Sequence, residues 1–499
     1  SEDEALRKAC YDAREKLATS TIDEYLKLVE LRNRYANLLG YSDFYEYKVQ
    51  TEDGMSKKEL FAIFDSIYEK TKFAYKNIRQ LEKGDRAKKI EPMSGLRKPW
   101  NFSYMMAGDF TKEQDPYFQF DDALMRWGKS FQMMGIDLAG GKLQLDLIER
   151  KGKEANGFCH WPDIVMYEKA AGQNPGKYIR RPGSSNFTCN VTVGQVGSGV
   201  DGYETFFHEG GHAAHFLNCD QRDVCINTEY APMSAAWAET HSMFLDAVFS
   251  SVEWRSAYAQ DSAGNFFPYE LYEKEITKMH PTMPLEIKGI LFVSNFERRI
   301  YEADAKGQGK SGAKLTKEKV LQIARVEHRK FYDMTEDSLL ALNVPHIYAW
   351  ESSCSYHGYG LATLALHQWR EYFYKKYGHI VDNPHIGKEM RAVWRLGSSK
   401  TFGEFMRMIT GKRLSADPYL RVVTAPLEKM KKTAKARIAN LAKVRSSAAT
   451  KKRITMPVDL KANIAMVHGK EVIASASNGA GGFEKMATKY KAWLKGLKD

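Results

Sequence analysis

The chain has 499 residues, of which 43% are hydrophobic and 27% are charged, and its formal net charge is +12. This composition is typical of a soluble protein, and the length is sufficient to bury one or more large cores. No run approaches the roughly 20 apolar residues that span a bilayer, which argues against a membrane-spanning protein. The first 16 residues form a charged helical pattern and not a signal peptide, so we predict a cytoplasmic location. Because the first residue is Ser, the removal of an upstream targeting segment stays open.

The N-terminal part of the chain is predicted to be helical. Residues 1–40 have helical periodicity, and Ser56 with Glu59 forms a capping-box signature that opens a further helix. We expect that helix to end at Gly84. Another helical pattern covers residues 121–134.

The periodicity changes between about residues 142 and 196, where apolar–polar alternation and β-branched residues predict a small sheet. Its last strand, at 184–193, leads toward the motif described below. From 230 to about 420 most segments again have helical periodicity. The predicted fold class is therefore mainly α with a small β-sheet.

Most of the positive charge lies near the C-terminus. Residues 424–453 contain ten Lys or Arg and the single acid Glu428, which accounts for +9 of the net charge. Apolar residues at helical spacing predict an amphipathic helix over residues 427–445 that docks on the body of the protein. Contact with nucleic acid or with an anionic membrane is the less favoured alternative.

The most informative stretch is His208-Glu209-Gly210-Gly211-His212, which has the pattern H-E-x-x-H. Residues four apart lie on one helix face, so the two His can direct their imidazoles toward one metal ion. Glu209 is rotated by roughly 100° from His208 and can reach a water molecule without ligating the metal. The pattern predicts two zinc ligands and a general base. The two adjacent glycines each cost about 1 kcal/mol relative to Ala in a helix, so they indicate either a close backbone approach or a looser site.

A catalytic zinc site usually has three protein ligands and leaves the fourth position for water. Glu239 is the favoured third ligand because it lies within an apolar helical pattern, where an unpaired carboxylate is costly. His241 is the alternative, although it points to a different face of the helix. Asp246 lies seven residues after Glu239 and can accept the free ring N–H of a ligand His. We interpret His215 as a packing or surface residue.

These segments resemble the zinc-site region of the thimet oligopeptidase and oligoendopeptidase F family of metallopeptidases. YETFFHEGGH (203–212) followed by WAETHSMFLD (237–246) is similar to that family's His-Glu-x-Gly-His motif and to the Glu ligand on its next helix. Gly210 departs from the pattern, since it replaces a larger residue. The resemblance covers roughly residues 25–423, and much of the family's usual N-terminal helical region is missing.

The resemblance implies a large helical bowl with a deep substrate channel and a small β-sheet beside the zinc-site helix. It also implies one Zn²⁺ per chain and short peptides as substrates. We accordingly predict a catalytic region at 1–423 and a basic C-terminal extension of unknown role at 424–499. If the extension is an accessory, truncation near residue 424 should leave activity intact.

Segment 346–360 resembles the second active-site segment of the same family. Tyr356 and Tyr359 match its closely spaced tyrosines, and His346 matches its His approximately. The resemblance implies that these groups reach the substrate carbonyl, where O–H donors stabilise an oxyanion. The alternative is an aromatic loop that packs on the core.

The resulting hypothesis is an oligoendopeptidase-like zinc metallopeptidase. His208, His212 and Glu239 would hold the metal, and Glu209 would act as general base. The strand at 184–192 is predicted to pair with the extended substrate. Two alternatives stay open: a helical zinc carboxypeptidase, which needs a basic group for the substrate C-terminus, and a non-catalytic peptide-binding protein on the same fold.

Overall fold

The computed structural model describes residues 3–87, 94–106, 110–154, 156–170, 177–228, 234–308 and 314–497. Within these ranges the protein is mainly α-helical, with a five-stranded sheet and a two-stranded ribbon. The predicted fold class is therefore confirmed. None of the helices in these ranges is long and apolar enough to cross a membrane.

Helices occupy most of the chain before the sheet. They are α1 (Glu4–Ser20), α2 (Ile22–Leu38), α3 (Phe44–Lys48), α4 (Lys57–Thr71), α5 (Tyr75–Ala87), α6 (Phe102–Met106), α7 (Phe110–Gln114) and α8 (Ala123–Met133). The capping box at Ser56 is present, but α4 ends at Thr71 and Gly84 lies inside α5. Thr71 Oγ1 donates a hydrogen bond to the carbonyl of Ile67 at 2.8 Å, a contact that often bends helices. The single helix expected from Ser56 to Gly84 is thus two helices.

The strands come from two distant parts of the sequence. They are β1 (Lys142–Ile148), β2 (Phe158–Asp163), β3 (Met166–Lys169), β4 (Tyr178–Arg181), β5 (Ser184–Val191), β6 (Asn463–His468) and β7 (Glu471–Ala476). The large sheet has the order β2-β5-β1-β6-β7, and β3 pairs with β4. β1 is parallel to both of its neighbours, while β2 and β7 are antiparallel to theirs.

The remaining helices lie after β5, and the last of them follows β7. They are α9 (Ser198–Leu217), α10 (Ala235–Phe249), α11 (Val252–Tyr258), α12 (Tyr269–Met279), α13 (Lys288–Gln308), α14 (Lys317–Tyr332), α15 (His357–Tyr377), α16 (Pro384–Trp394), α17 (Phe402–Thr410), α18 (Asp417–Val423), α19 (Leu427–Ser446), α20 (Ala448–Thr455) and α21 (Gly482–Gly496).

The strand expected to receive the substrate has no free edge. β5 lies between β2 and β1, and its alternate side chains, among them Phe187 and Val191, are buried. The prediction that a peptide pairs with residues 184–192 is therefore wrong. Among the described strands, β2 is the edge of the sheet on this side.

The chain divides into two compact units. Unit 1 comprises Ser1–Gly108, Ile276–Leu361 and Ala416–Ala425, and unit 2 comprises Asp109–Glu275, Ala362–Ser415 and Pro426–Asp499. All the described strands and the helix that carries the H-E-x-x-H motif belong to unit 2. The domain boundary expected near residue 424 stays a prediction.

The C-terminal extension packs within unit 2. β6 pairs with β1 in the register of Asn463 opposite Lys142. Phe483 of α21 lies against Gly128 of α8, where a Cβ atom would be only 2.4 Å from the Phe483 ring. The extension thus supplies strands and core side chains to the sheet.

The predicted amphipathic helix is α19, and its cations face the acidic and aromatic groups of unit 2. Lys431 Nζ lies 3.0 Å from Glu273, and the guanidinium of Arg437 lies 3.9 Å from the centroid of the Tyr374 ring. Leu441 on the same helix is buried. Part of the basic charge is therefore used for docking within the protein.

Candidate functional site

The H-E-x-x-H motif lies in the second half of α9, beside the sheet and against α10. His208 and His212 are one turn apart, and their ring centroids are separated by 5.0 Å. Glu239 of α10 points toward both rings. Its Oε2 atom lies 3.4 Å from His208 Nε2 and 3.6 Å from His212 Nε2. Two packed helices therefore bring the three sequence-predicted ligands together.

The donor set fits a zinc ion. One ligand atom from each of His208, His212 and Glu239 lies within 4.8 Å of the other two. Atoms bound at about 2.1 Å to a tetrahedral zinc are separated by roughly 3.4 Å, which matches the spacing from Glu239 to each imidazole. Two imidazoles and one carboxylate are also a common ligand set of catalytic zinc.

Two neighbouring side chains orient these donors. Asp246 Oδ2 lies 2.8 Å from His208 Nδ1, so it can accept the ring N–H and leave Nε2 directed at Glu239. Ser242 Oγ donates a hydrogen bond to Glu239 Oε2 at 3.1 Å. The structure places Asp246 as the sequence predicts, whereas the part played by Ser242 was missed.

The other two histidines of this region lie elsewhere. His241 is fully buried, and its Nδ1 accepts a hydrogen bond from Trp394 Nε1 at 2.9 Å. His215 is also buried, with its ring centroid 4.1 Å from that of His241. His241 therefore does not join the donor set, and His215 is a packing residue.

Charge attraction within the site is strong. Burial alone would raise the pKa of Glu239, but His212 and His208 hold the pKa of this carboxyl well below its usual range. Burial lowers the pKa of His208, yet Asp246 and Glu239 together keep its pKa well above the usual value. Glu239 is consequently ionised at neutral pH, which is the form that ligates a metal.

Glu209 lies next to the donor set and is largely buried, with 6% of its surface exposed. Burial raises its pKa, and the neighbouring His208 and His212 oppose that effect. Gly157, just before β2, is also close, since a Cβ atom there would lie 3.2 Å from Glu209 Oε1. Because glycine has no side chain, the backbone just before β2 can lie close to the Glu209 carboxyl.

The two glycines of the motif permit close packing on both sides of α9. A Cβ atom at Gly210 would lie 2.6 Å from Nε1 of Trp127, and one at Gly211 would lie 2.9 Å from Cα of Ser242. Trp127 is fully buried. Small residues at these positions therefore let α8 and α10 approach the motif.

The second predicted group of residues forms a cluster in unit 1. His346 Nε2 lies 3.2 Å from the hydroxyl of Tyr359. The His346 and Tyr356 ring centroids are 5.1 Å apart, and those of Tyr356 and Tyr359 are 5.2 Å apart. Burial raises the pKa of Tyr356, so its hydroxyl stays protonated and able to donate. The structure thus brings these three residues together, in a different unit from the metal-site residues.

Buried polar contacts hold the segment that carries this cluster. Cys354 adopts a positive φ of 55°, and its amide donates to Glu297 Oε1 at 2.8 Å. His357, which opens α15, contacts Asp53 at 2.6 Å through Nε2 and Tyr45 at 3.0 Å through Nδ1. These contacts fix the backbone on both sides of Tyr356.

Comparison with known proteins identifies the family. The sequence model of peptidase family M3 matches residues 1–424. The chain belongs to peptidase family M3. It is therefore a metallopeptidase by family, and the match ends where the basic extension begins.

Individual relatives of this M3 peptidase are distant. The mitochondrial intermediate peptidase of Saccharomyces cerevisiae is 24% identical over an alignment of 277 residues, and the match covers 43% of this chain. The match spans only 36% of the length of that relative.

Solved structures share the fold. The M32 carboxypeptidase from Deinococcus radiodurans R1 has a TM-score of 0.54 at 13% identity, covering 87% of this chain and 82% of its own. A protein described as oligoendopeptidase F from Bacillus anthracis str. Ames has a TM-score of 0.52 at 15% identity. The match covers 88% of this chain and 68% of that protein's chain. The metallocarboxypeptidase 1 of Trypanosoma cruzi has a TM-score of 0.53 at 17% identity. The match covers 84% of this chain and 79% of that protein's chain.

Proposed function

We propose that this M3 peptidase is a zinc-dependent enzyme that hydrolyses peptide bonds in short peptides. The observation that carries the proposal is the spacing of His208, His212 and Glu239, which suits tetrahedral zinc, with the Glu209 carboxyl beside it. Zinc at this position would supply a Lewis acid and lower the pKa of a water molecule.

The predicted site residues have separate tasks in this proposal. Glu209 takes a proton from the attacking water and passes it to the leaving amine. Asp246 holds the orientation of His208, and Ser242 holds that of Glu239. Tyr356 and Tyr359, together with His346, donate hydrogen bonds to the substrate oxyanion.

The free edge of β2 offers a place for the peptide backbone. Within the described part of the chain β2 is paired only with β5, and Gly157 before it lies close to Glu209 Oε1. An extended peptide can add to such an edge through main-chain hydrogen bonds, with little dependence on its sequence. This replaces pairing with β5 as the proposed mode of peptide binding.

The decisive experiment is the substitution Glu209→Gln. The variant should keep one zinc per chain, because Glu209 is not one of the metal-donor residues. Its kcat should fall by about 100- to 10,000-fold, because the general base is absent. Zinc content is measured by metal analysis and hydrolysis by mass spectrometry of a peptide mixture, with and without chelator. Glu168→Gln, at an exposed ion pair with Arg181, is the matched control and should retain activity.

Two results would contradict the proposal. Hydrolysis that survives Glu209→Gln would exclude Glu209 as the base. A wild-type protein that binds zinc and peptides but hydrolyses none of them would be a non-catalytic peptide-binding protein.

Cleavage inside the peptide is the form that we expected from the resemblance, and carboxypeptidase action is the alternative. The two differ in whether the substrate C-terminus is bound by a basic group. One basic group that is shielded from solvent, Lys288, is present in unit 1.

A further inference from the structure

Lys288, the first residue of α13, is a half-buried cation in an aromatic setting. Its Nζ lies 3.7 Å from the centroid of the Phe102 ring and 4.9 Å from that of Tyr332. Among the described residues it has neither a carboxylate partner nor a hydrogen bond. Lys48, another shielded lysine, is by contrast paired with Glu52.

The isolation of Lys288 has an electrostatic cost. Burial lowers its pKa to about 8, and no neighbouring carboxylate opposes the effect. A cation–π contact recovers only about 0.5–2 kcal/mol. His328, stacked on Tyr332, carries no charge at neutral pH because burial lowers its pKa to about 4. A bound anion would stabilise the charged form of Lys288, which burial disfavours.

The surroundings of Lys288 offer further donors. The Tyr332 hydroxyl makes no hydrogen bond within the described part of the chain. Gly289 leaves space beside it, since a Cβ atom there would lie 3.3 Å from that hydroxyl. The first turn of the 21-residue helix α13 adds backbone N–H groups without intrahelical acceptors and the positive end of the helix dipole.

The start of α13 packs against the segment that carries His346, Tyr356 and Tyr359. A Cβ atom at Gly360, next to Tyr359, would lie 3.3 Å from Cγ2 of Ile290, two residues after Lys288. Burial raises the pKa of Tyr332 to about 12, and Tyr356 adds a smaller contribution to this shift. Lys288 therefore lies on a helix turn beside this segment of unit 1. A peptide whose carbonyl is held by Tyr356 can extend toward Lys288.

We propose that Lys288 binds the C-terminal carboxylate of the substrate peptide, with the Tyr332 hydroxyl as a second donor. The inference rests on the proposed peptidase function and specifies the end of the peptide that is recognised. A carboxylate suits the position because Lys supplies one compact charge and the phenol supplies one O–H.

The test compares one short peptide as the free acid and as the C-terminal amide. Wild-type enzyme should have a kcat/KM at least about tenfold higher for the free acid, since a charge-assisted hydrogen bond is lost in the amide. Lys288→Met should reduce the kcat/KM for the free acid to that for the amide, and the kcat/KM for the amide should stay unchanged. Lys288→Arg should retain the preference, and Tyr332→Phe should weaken it while keeping the aromatic ring.

An acidic side chain near the end of the peptide presents the same chemistry. Amidated peptides that end in Glu or Gln separate the two sources of carboxylate. If the effect of Lys288→Met follows the Glu side chain and not the terminal carboxylate, the proposal is overturned. The proposal is also overturned if Lys288→Met lowers the kcat/KM of the free acid and of the amide equally, or if it lowers neither value.

Binding to the Glu209→Gln variant separates this inference from the proposed function. Fluorescence anisotropy with labelled free-acid and amide peptides requires no hydrolysis. The free acid should bind about tenfold more tightly, and the added Lys288→Met substitution should abolish the difference. Equal binding of both peptides overturns the role of Lys288, whereas absent wild-type hydrolysis overturns only the peptidase proposal.

Discussion

At the scale of single residues, the motif glycines exchange helix propensity for close packing. Gly210 faces the buried ring of Trp127, and Gly211 faces the backbone of α10. An added methyl group at either position overlaps a neighbour that cannot easily move. Overpacking of this kind costs about 1–3 kcal/mol, which outweighs the roughly 1 kcal/mol that Ala gains over Gly in a helix.

Gly210→Ala should therefore lower the free energy of unfolding by about 1–2 kcal/mol, as measured by urea denaturation. Gly403→Ala is the matched control, since a Cβ atom at Gly403 of α17 would have nothing within 4 Å. The control should leave stability unchanged or slightly raised. Equal stability of both variants would contradict the packing explanation.

Asp246→Asn should weaken zinc binding about 10- to 100-fold. The substitution removes the charge that orients His208 and makes its imidazole a better ligand, while the three donor atoms stay in place. Competition with a chromophoric chelator measures the affinity. Asp201→Asn, an exposed change on α9, is the control, and a similar loss there would exclude a specific role for Asp246.

The site residues that could be predicted are those set by local spacing. His208 and His212 lie four residues apart, and Asp246 lies seven after Glu239, so helix geometry alone places each pair on one face. The reason for Gly210 depends on Trp127, which lies 83 positions earlier in the chain. Lys288 was missed for the same reason, because its aromatic neighbours come from α6 and α14.

At the scale of elements, the C-terminal extension is an integral part of the sheet. β6 occupies the edge of β1 that β5 leaves open, and α21 covers β7 while Phe483 reaches α8. Removal of these elements would expose a parallel edge and an apolar face in unit 2, next to the helix that carries the motif. Truncation near residue 424 should thus cause misfolding, contrary to the expectation from sequence that activity would survive.

Phe483→Ala tests this dependence without deleting the extension. The side chain is 3% exposed, and its loss should cost about 3–5 kcal/mol, as for large-to-small changes in a core. Val472→Ala on β7, with 61% exposure, is the control and should cost less than about 0.5 kcal/mol. Differential scanning calorimetry of both variants gives the comparison, and an unchanged melting temperature for Phe483→Ala would argue against a structural role.

The elements of the extension were only partly predictable. The spacing of apolar residues predicts α19, and the structure has it. β6 and β7 escaped notice because each has only six residues and the basic charge of the extension dominates its composition. The pairing of β6 with β1 is not encoded in any local pattern, since register follows from packing between distant segments.

At the scale of the whole molecule, stability should depend on pH through Glu297. Burial raises the pKa of this carboxyl to about 7, although the Cys354 amide and the charges of His357, Arg32 and Lys48 oppose the shift. The folded state therefore holds the proton more tightly than the unfolded state. The resulting stabilisation amounts to at most about 3 kcal/mol of the free energy of unfolding. It is fully present below pH 4.5 and is lost as the pH rises through 7.

Glu297→Gln should remove this dependence, because the amide mimics the protonated acid. The difference in free energy of unfolding between the variant and the wild type should grow in favour of the variant between pH 4.5 and 7.5. Guanidinium denaturation across that range measures it. Glu69→Gln, at an exposed position, is the control, and a pH-independent difference for Glu297→Gln would refute the prediction.

β1 joins segments that are made at very different times. Its partner residues Lys142 and Asn463 are about 320 positions apart, so a ribosome adding 5–20 residues per second needs about 15 to 60 seconds to pass from one to the other. Until Asn463 has been made, β1 lacks one of its two partner strands, so the sheet beside the helix with the H-E-x-x-H motif is incomplete.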